Sequence, residues 1–261
     1  MGLNTNWHIQ LPSFWWAHVG GNHGDFTRTF NDREARGGPA LRKSANTDVW
    51  AGFETDSRKA YTVGFFAGGW KGDDGNSTSW WLDPNFQFRL SSQFSASLGL
   101  NYSVDVNDKQ WRANFGTIGA DTTHYTFARL DQKTLSLTSR INYTATPNLS
   151  LQIYAQPFVS TGDYSNWREI ADAQAPEYSD RFRPYTAGGD PGGFSFKQFR
   201  SNTVVRWEYM PGSTLFFVWA QGRELDGPDG NEFSFRRDLT DVFSQHPNNT
   251  FLVKLAYWFN P

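Results

Sequence analysis

Between Gln132 and Phe158 the chain alternates apolar and polar residues with a period of two. Leu135, Leu137, Ile141 and Tyr143 occupy one phase, and Thr134, Ser136, Thr138, Arg140, Asn142 and Thr144 the other. Successive side chains of a strand point to opposite faces, so the pattern predicts a strand with one apolar and one polar side. Thr146-Pro147-Asn148 then reads as a tight turn, because proline fixes φ and Asn tolerates turn geometry. Leu149, Leu151, Ile153, Ala155 and Pro157 resume the apolar phase against Ser150, Gln152 and Gln156. This hairpin is the unit that the rest of the chain repeats.

The same alternation predicts a first strand over Trp7, Ile9, Leu11, Trp15, Ala17 and Val19, and a second with Leu41, Ala45, Val49, Ala51 and Phe53 outward. A third carries Tyr61, Val63, Phe65 and Ala67, with Gly64 and Gly68 on the opposite face. Glycine on one face predicts a bulky neighbour or a close backbone there. Further strands run over Trp80–Leu90, Phe94–Val104, Phe199–Tyr209, Leu215–Trp219 and Phe251–Phe259. Asn107–His124, Ser160–Gly193 and Glu224–Pro247 read as irregular connections. Arg129 and Asp131 fall in the apolar phase, which predicts either a strand end projecting beyond an apolar band or a bulge.

Short turns at Asp56–Lys59, Ser91–Gln93, Pro147 and Pro211–Gly212 alternate with longer connections. The expected fold is therefore all-β: an antiparallel up-and-down transmembrane β-barrel of about ten strands. It is read as one domain over residues 1–261, with both ends on the short-turn side. A Greek-key sandwich has no reason to alternate its connections in this way.

Composition sharpens this picture in one respect. Aromatics make up 17% of the 261 residues, with Trp 12, Tyr 10 and Phe 23, while the mean hydropathy is only -0.62. Lipid-facing positions alternating with polar ones, plus aromatic girdles at two interfaces, would give that combination. A sugar-binding β-sandwich is the competing source of it. A net charge of -2 leaves no electrostatic footprint for nucleic acid. Cysteine is absent, which removes disulfides, thiolate zinc sites and cysteine nucleophiles. Met1 to Asn6 has no basic or apolar leader character, so a signal peptide is not in this stretch, although the expected location is the bacterial outer membrane.

Candidate chemistry is sparse. The histidines His8, His18, His23, His124 and His246 show no ligand spacing, though His18 and His23 flank Gly20-Gly21 and could meet a metal. No nucleophile elbow, P-loop or dinucleotide fingerprint occurs, so no catalytic, cofactor or metal residue is assigned. A barrel hydrolase would need a Ser–His pair on adjacent strands, and remains an alternative function. Asp73-Asp74 and the run from Asp226 to Glu232 are oxygen-rich, but the latter lacks the ligand order of an EF-hand. The polar phase is the better candidate: Arg89, Arg140, Arg200, Arg206, Glu208 and Lys254 would line the lumen of a barrel. Trp15, Trp16, Trp80, Trp81, Trp207, Trp219 and Trp258 read as girdle residues, with sugar stacking as the alternative.

Three segments carry a resemblance to a known family: Arg36 to Pro39 (RGGP), the long run from Arg129 to Asp172, and the Asp56–Lys59 turn (DSRK). They resemble bacterial envelope proteins in which a carbohydrate-binding-module family-nine-like domain precedes a C-terminal domain of unknown function predicted to be an outer-membrane β-barrel. The resemblance covers most of the chain and implies that it corresponds to the barrel part, with upstream strands of that family lacking before Leu3. A fragment of a larger barrel is thus the alternative to closure by ten strands. The final apolar phase ending at Phe259 also resembles the terminal signal of outer-membrane proteins, although Asn260 and Pro261 follow it. The expected function is non-enzymatic: a porin-like conduit, or a membrane anchor or transport component of carbohydrate-binding envelope proteins. Expected partners are the lipid bilayer, the barrel-insertion machinery and carbohydrate. A soluble carbohydrate-binding β domain is the main alternative.

Overall fold

The computed structural model describes residues 2–120, 122–227 and 233–259. The alternation becomes a run of strands: β1 (Gly2–Gln10), β2 (Trp16–Gly24), the short β3 (Phe30–Asn31) and β4 (Leu41–Arg42), β5 (Asn46–Glu54), β6 (Tyr61–Gly72) and β7 (Ser77–Arg89). There follow β8 (Phe94–Phe115), β9 (His124–Thr146), β10 (Leu149–Ile170), β11 (Phe182–Pro184), β12 (Gly193–Met210), β13 (Ser213–Gly227) and β14 (Asn248–Ala256). One helix, α1 (Phe235–Ser244), lies between the last two. The fold is all-β, an antiparallel meander in the order β1-β2-β5-β6-β7-β8-β9-β10-β12-β13-β14, with β11 added beside β10 and β3–β4 apart.

Register fixes two faces. One row runs Phe94, Tyr143, Leu151, Val205, Phe217, Val253 across successive strands; another runs Ser97, Arg140, Tyr154, Asn202, Ala220, Thr250. Leu98, Leu100, Leu137 and Leu151 thus share the apolar face, and Ser97, Asn101, Arg140 and Gln152 the polar one, as the period requires. Most of the apolar face is uncovered among the described residues: Val49, Trp80, Phe86, Leu98, Phe217 and Phe251 all remain more than a third exposed. Only at the long-connection end, under α1, are Val159 and Leu135 buried. Glycines on the polar face sit directly opposite aromatics, Gly20 facing Trp50, Gly52 facing Phe66 and Gly68 facing Trp81. A Cβ on Gly52 would stand 2.2 Å from the Phe66 ring, so the large neighbour expected opposite such glycines is present.

Several expectations need correction. The first predicted strand is a hairpin, β1 and β2, whose turn is closed by the Leu11 N–H donating to the Trp15 carbonyl at 2.8 Å. Leu11 and Trp15 continue the apolar phase across that turn, which conceals it. The additional strand puts Gly2, paired with Gly24, at the long-connection end, whereas Ala256, paired with Thr214, lies at the short-turn end. The two ends therefore do not share a side. β1 pairs only with β2 and β14 only with β13, so among the described residues the sheet is open where a closed barrel was expected.

The long connections are shorter than predicted, because the strands run on. β8, β9 and β10 reach 22 or 23 residues, with register irregularities between Asn107 and Gln110, between Trp111 and Ala113, and between Ser165 and Arg168. Those bulges break the period-two signal without ending the strands. Arg129 and Asp131 lie in this extension, where Arg129 pairs with Asp131 at 3.2 Å and with Asp108 at 3.6 Å. Leu41 is not on the apolar sheet face; it is buried with Ala35, Phe127, Ala173, Tyr178 and Phe182 in a small core at the long-connection end. α1 closes over the same end of the sheet, with the Phe243 ring 4.8 Å from that of Phe199.

Candidate functional site

The six sequence-predicted residues all lie on the polar face, yet they do not form one cluster. Arg206 pairs with Glu208 at 2.9 Å, and Glu208 also accepts from the Gly212 N–H at the turn. Lys254 shares a row with Arg206, separated by Phe216. Arg140 sits over the Tyr154 ring, its guanidinium carbon 5.5 Å from the centroid. Arg200 borders a shallow cleft with Glu224 and His246, and Arg89 donates to the Ser57 carbonyl. The geometry is a charged wall spread along the polar face.

The histidine expectation is also revised. His18 and His23 cannot meet, because an odd spacing on one strand sends them to opposite faces. His23 contacts the Thr47 hydroxyl, whereas His18 faces its cross-strand partner His8, their Nδ1 atoms 2.7 Å apart. The His18 Nε2 lies 3.6 Å from Glu54, an ion-pair distance too long for a hydrogen bond. Among the described residues no group of three or more His, Asp or Glu is arranged to hold a metal ion. Asp73, a candidate calcium ligand, is committed elsewhere, accepting from Lys109 at 3.0 Å and from the Ser77 hydroxyl at 2.8 Å. The second oxygen-rich run lies largely at 228–232, outside the described residues. Two girdle assignments move as well: Trp16 is stacked on His18 and Trp81 packs over Gly68, both on the polar face.

A deeper feature lies at the long-connection end, where the polar face meets the segment between β2 and β5. A cleft of about 560 Å³ is bordered by Phe26, Asn31 and Glu34 from that segment, and by Asn46, Trp70, Asp105, Asn107, Gln110 and Gln132 from the strands. Its floor is an ionic lattice. Lys109 bridges Glu34 at 3.1 Å and Asp73 at 3.0 Å; burial pushes its pKa down, but the two carboxylates outweigh this and hold it above the ordinary lysine value. Asp108, buried beside it, takes Arg168 at 2.9 Å and the Tyr178 hydroxyl at 2.9 Å. Burial and the nearby carboxylates of Asp73 and Asp108 push the Tyr178 phenol well up, so it donates and stays neutral.

The walls are stitched together by Arg181, which is 2% exposed. It donates to the carbonyls of Ala175, Arg42 and Pro176 and to the Ser44 hydroxyl at 2.7–3.0 Å. Sequence reasoning missed this cleft. Its only local signal was an aromatic two residues from a glycine at Gly24-Asp25-Phe26 and Trp70-Lys71-Gly72, which is commonplace by itself.

These features define an all-β protein built on one two-faced antiparallel sheet with a loop-built cleft at one end. The chain belongs to the family described as domain of unknown function DUF5916, whose model matches residues 1–260. No curated protein matches it.

Proposed function

We propose that this chain forms the wall of an outer-membrane β-barrel, non-enzymatic, serving as a conduit or as the membrane anchor of an envelope assembly. The observation that carries the reading is the apolar face, exposed along most of the meander; among the described residues only α1 covers it, at the long-connection end of β10, β12 and β13. Soluble proteins do not leave so large a contiguous apolar surface in water. The margins of that face support the same reading. On β8 the apolar phase from Phe94 to Val104 covers about 34 Å along the strand at roughly 3.4 Å per residue, or about 26 Å of height at a tilt near 40°, close to the height of a membrane barrel's apolar band. Tyr61, Tyr143 and Trp207 lie toward the short-turn margin, and Trp80 and Trp219 toward the other. Beyond the second margin the outward phase turns charged, at Lys71, Lys133 and Arg223.

A bilayer leaves no water for the unpaired backbone of β1 and β14, so insertion joins these edges, directly or through further strands. A hydrolase reading gains no support, since among the described residues no histidine is hydrogen-bonded to a serine. Flotation with lipid vesicles in a density gradient tests the proposal. Co-flotation of folded protein is expected, whereas a monodisperse, folded protein in detergent-free buffer would refute it.

A further inference from the structure

We propose that the cleft at the long-connection end is a binding site for a neutral saccharide of two or three rings, with Phe26 and Trp70 as its stacking platforms. The inference stands apart from the membrane reading, because this end of the sheet meets water in either case. Three observations carry it.

The first is how the two aromatic rings are seated. A Cβ on Gly24 would lie 2.1 Å from the Phe26 ring, and one on Gly72 would lie 2.5 Å from the Trp70 ring. Each ring is therefore laid against a glycine backbone on one side while bordering the cleft. A ring held flat in this way presents the electron-rich face that the C–H side of a pyranose packs against.

The second is charge. The ions in the lining are already engaged: Lys109 is held by Glu34 and Asp73, and Asp105 accepts from the Ser79 hydroxyl at 2.6 Å and from that of Ser103 at 2.8 Å. Lys43 stands 5.9 Å over the Phe26 ring, and a single cation beside several acids does not make an anion site.

The third is the hydrogen-bonding inventory. Asn31, Asn46, Gln110 and Gln132 border the space. Gln132 already donates to Thr134 and Ser160, and the side-chain oxygens of Gln110 and Asn31 accept from Asn107 and the Arg33 N–H. This leaves the Gln132 oxygen as acceptor and the Gln110 and Asn31 amide groups as donors for ligand hydroxyls. Glu34 Oε2 is buried with no donor, which a ligand hydroxyl would supply. The volume falls within the ~300–1,000 Å³ usual for small-molecule sites.

Calorimetry on the full chain in an amine-oxide detergent tests this, since maltoside detergents carry a competing sugar. The probes are maltotriose, cellotriose and xylotriose, with inorganic phosphate and triglycine as comparators. At least one trisaccharide is expected to saturate the protein, and Trp70→Ala to weaken it about tenfold or more. Trp70→Phe should retain most of the affinity. Gly72→Ala, which keeps the indole but displaces it from its seat, should weaken binding as Trp70→Ala does. Trp219→Ala, on the apolar face, should change nothing. If Trp70→Ala does not fold, Gly72→Ala and protection of tryptophan fluorescence from acrylamide by the sugar decide the matter. Binding of none of the sugars, binding indifferent to both Trp70→Ala and Gly72→Ala, or binding of phosphate or triglycine alone would overturn the proposal.

Discussion

Leu100→Arg separates a lipid-facing sheet from a water-facing one by the size of its effect. Leu100 lies opposite Leu137 in register, near the middle of the apolar stretch from Phe94 to Val104 on β8. In a bilayer that position is near the midplane, where an arginine costs about 2–4 kcal/mol, or roughly 30- to 700-fold in the folding equilibrium. In water the same change replaces a partly exposed apolar side chain with a soluble one, and its cost falls to about 1 kcal/mol or less. Asn101→Arg is the internal control: it is the next residue on the strand, opposite Ser136 on the polar face, and should be near neutral in either medium. The assay is equilibrium guanidinium unfolding in phosphatidylcholine vesicles, followed by tryptophan fluorescence. Equal costs for the two substitutions, or a Leu100→Arg cost below about 1 kcal/mol, would refute the lipid-facing assignment.

Other predictions address the polar face and the loop end. Gly68→Ala places a Cβ 2.8 Å from the Trp81 ring and should cost about 1–3 kcal/mol with a shift in tryptophan emission, whereas Gly99→Ala, with nothing within 4 Å, should be neutral or slightly stabilising. Burial raises the Asp238 pKa, but Lys197 at 2.9 Å and the Ser234 N–H overcome it and hold it below the ordinary carboxylate range. Docking of α1 should therefore be strongest above that range and weaken as pH falls through the depressed value, measured as hydrogen-exchange protection over 235–244; Asp238→Asn should abolish that dependence. Arg181→Lys cannot reproduce the fork of donors to three carbonyls and a hydroxyl, so it should destabilise the loop end by about 3 kcal/mol and make 171–181 an early proteolytic site. In planar bilayers, Arg140→Gln with Arg206→Gln should shift ion preference toward cations, and an unchanged preference in a conducting channel would remove both from the path.

The sequence carried the faces well and the boundaries poorly. Alternation from Leu135 to Tyr143 and from Leu149 to Pro157 assigned each side correctly, because a strand's period is two and a slip of one residue would expose the wrong set. It failed where a local irregularity interrupted the period, as at the Asn107/Gln110 shift, and where an apolar residue happened to continue the phase through a turn, as at Leu11 and Trp15. α1 did leave a trace: Phe235, Leu239, Val242 and Phe243 recur at helical spacing, but they are embedded in a charged stretch that reads as loop. The polar-face arginines were legible as a set but not as partners, since only Arg206 and Glu208 lie near enough in sequence to pair visibly. The cleft was not legible at all. Phe26, Trp70 and Gln132 meet only because the β2–β5 connection folds back onto the sheet, and no local pattern encodes that return.

The charges of the polar face are sorted by position along the meander. Asp48, Glu54, Asp83 and Asp105 lie on β5 to β8, and Arg140, Arg200, Arg206 and Lys254 on β9 to β14, with Arg89, Lys109, Glu208, Glu224 and Asp226 as exceptions. Curled with this face inward, as the barrel reading requires, the sheet sets an acidic wall opposite a basic one. Two unit charges about 15 Å apart at an effective dielectric near 20 interact by roughly 1 kcal/mol, so several opposed pairs produce a transverse field that water does not erase. Such a field turns a dipolar solute without strongly favouring either sign of ion. A neutral, hydroxyl-rich guest is the kind of solute it would handle best, and the cleft at the loop end has walls of matching chemistry. The Arg140→Gln, Arg206→Gln pair should then alter ion preference only modestly while weakening the orienting field. A saccharide held in the cleft would sense that loss as a change in its rate of passage, with its affinity at Trp70 unaltered.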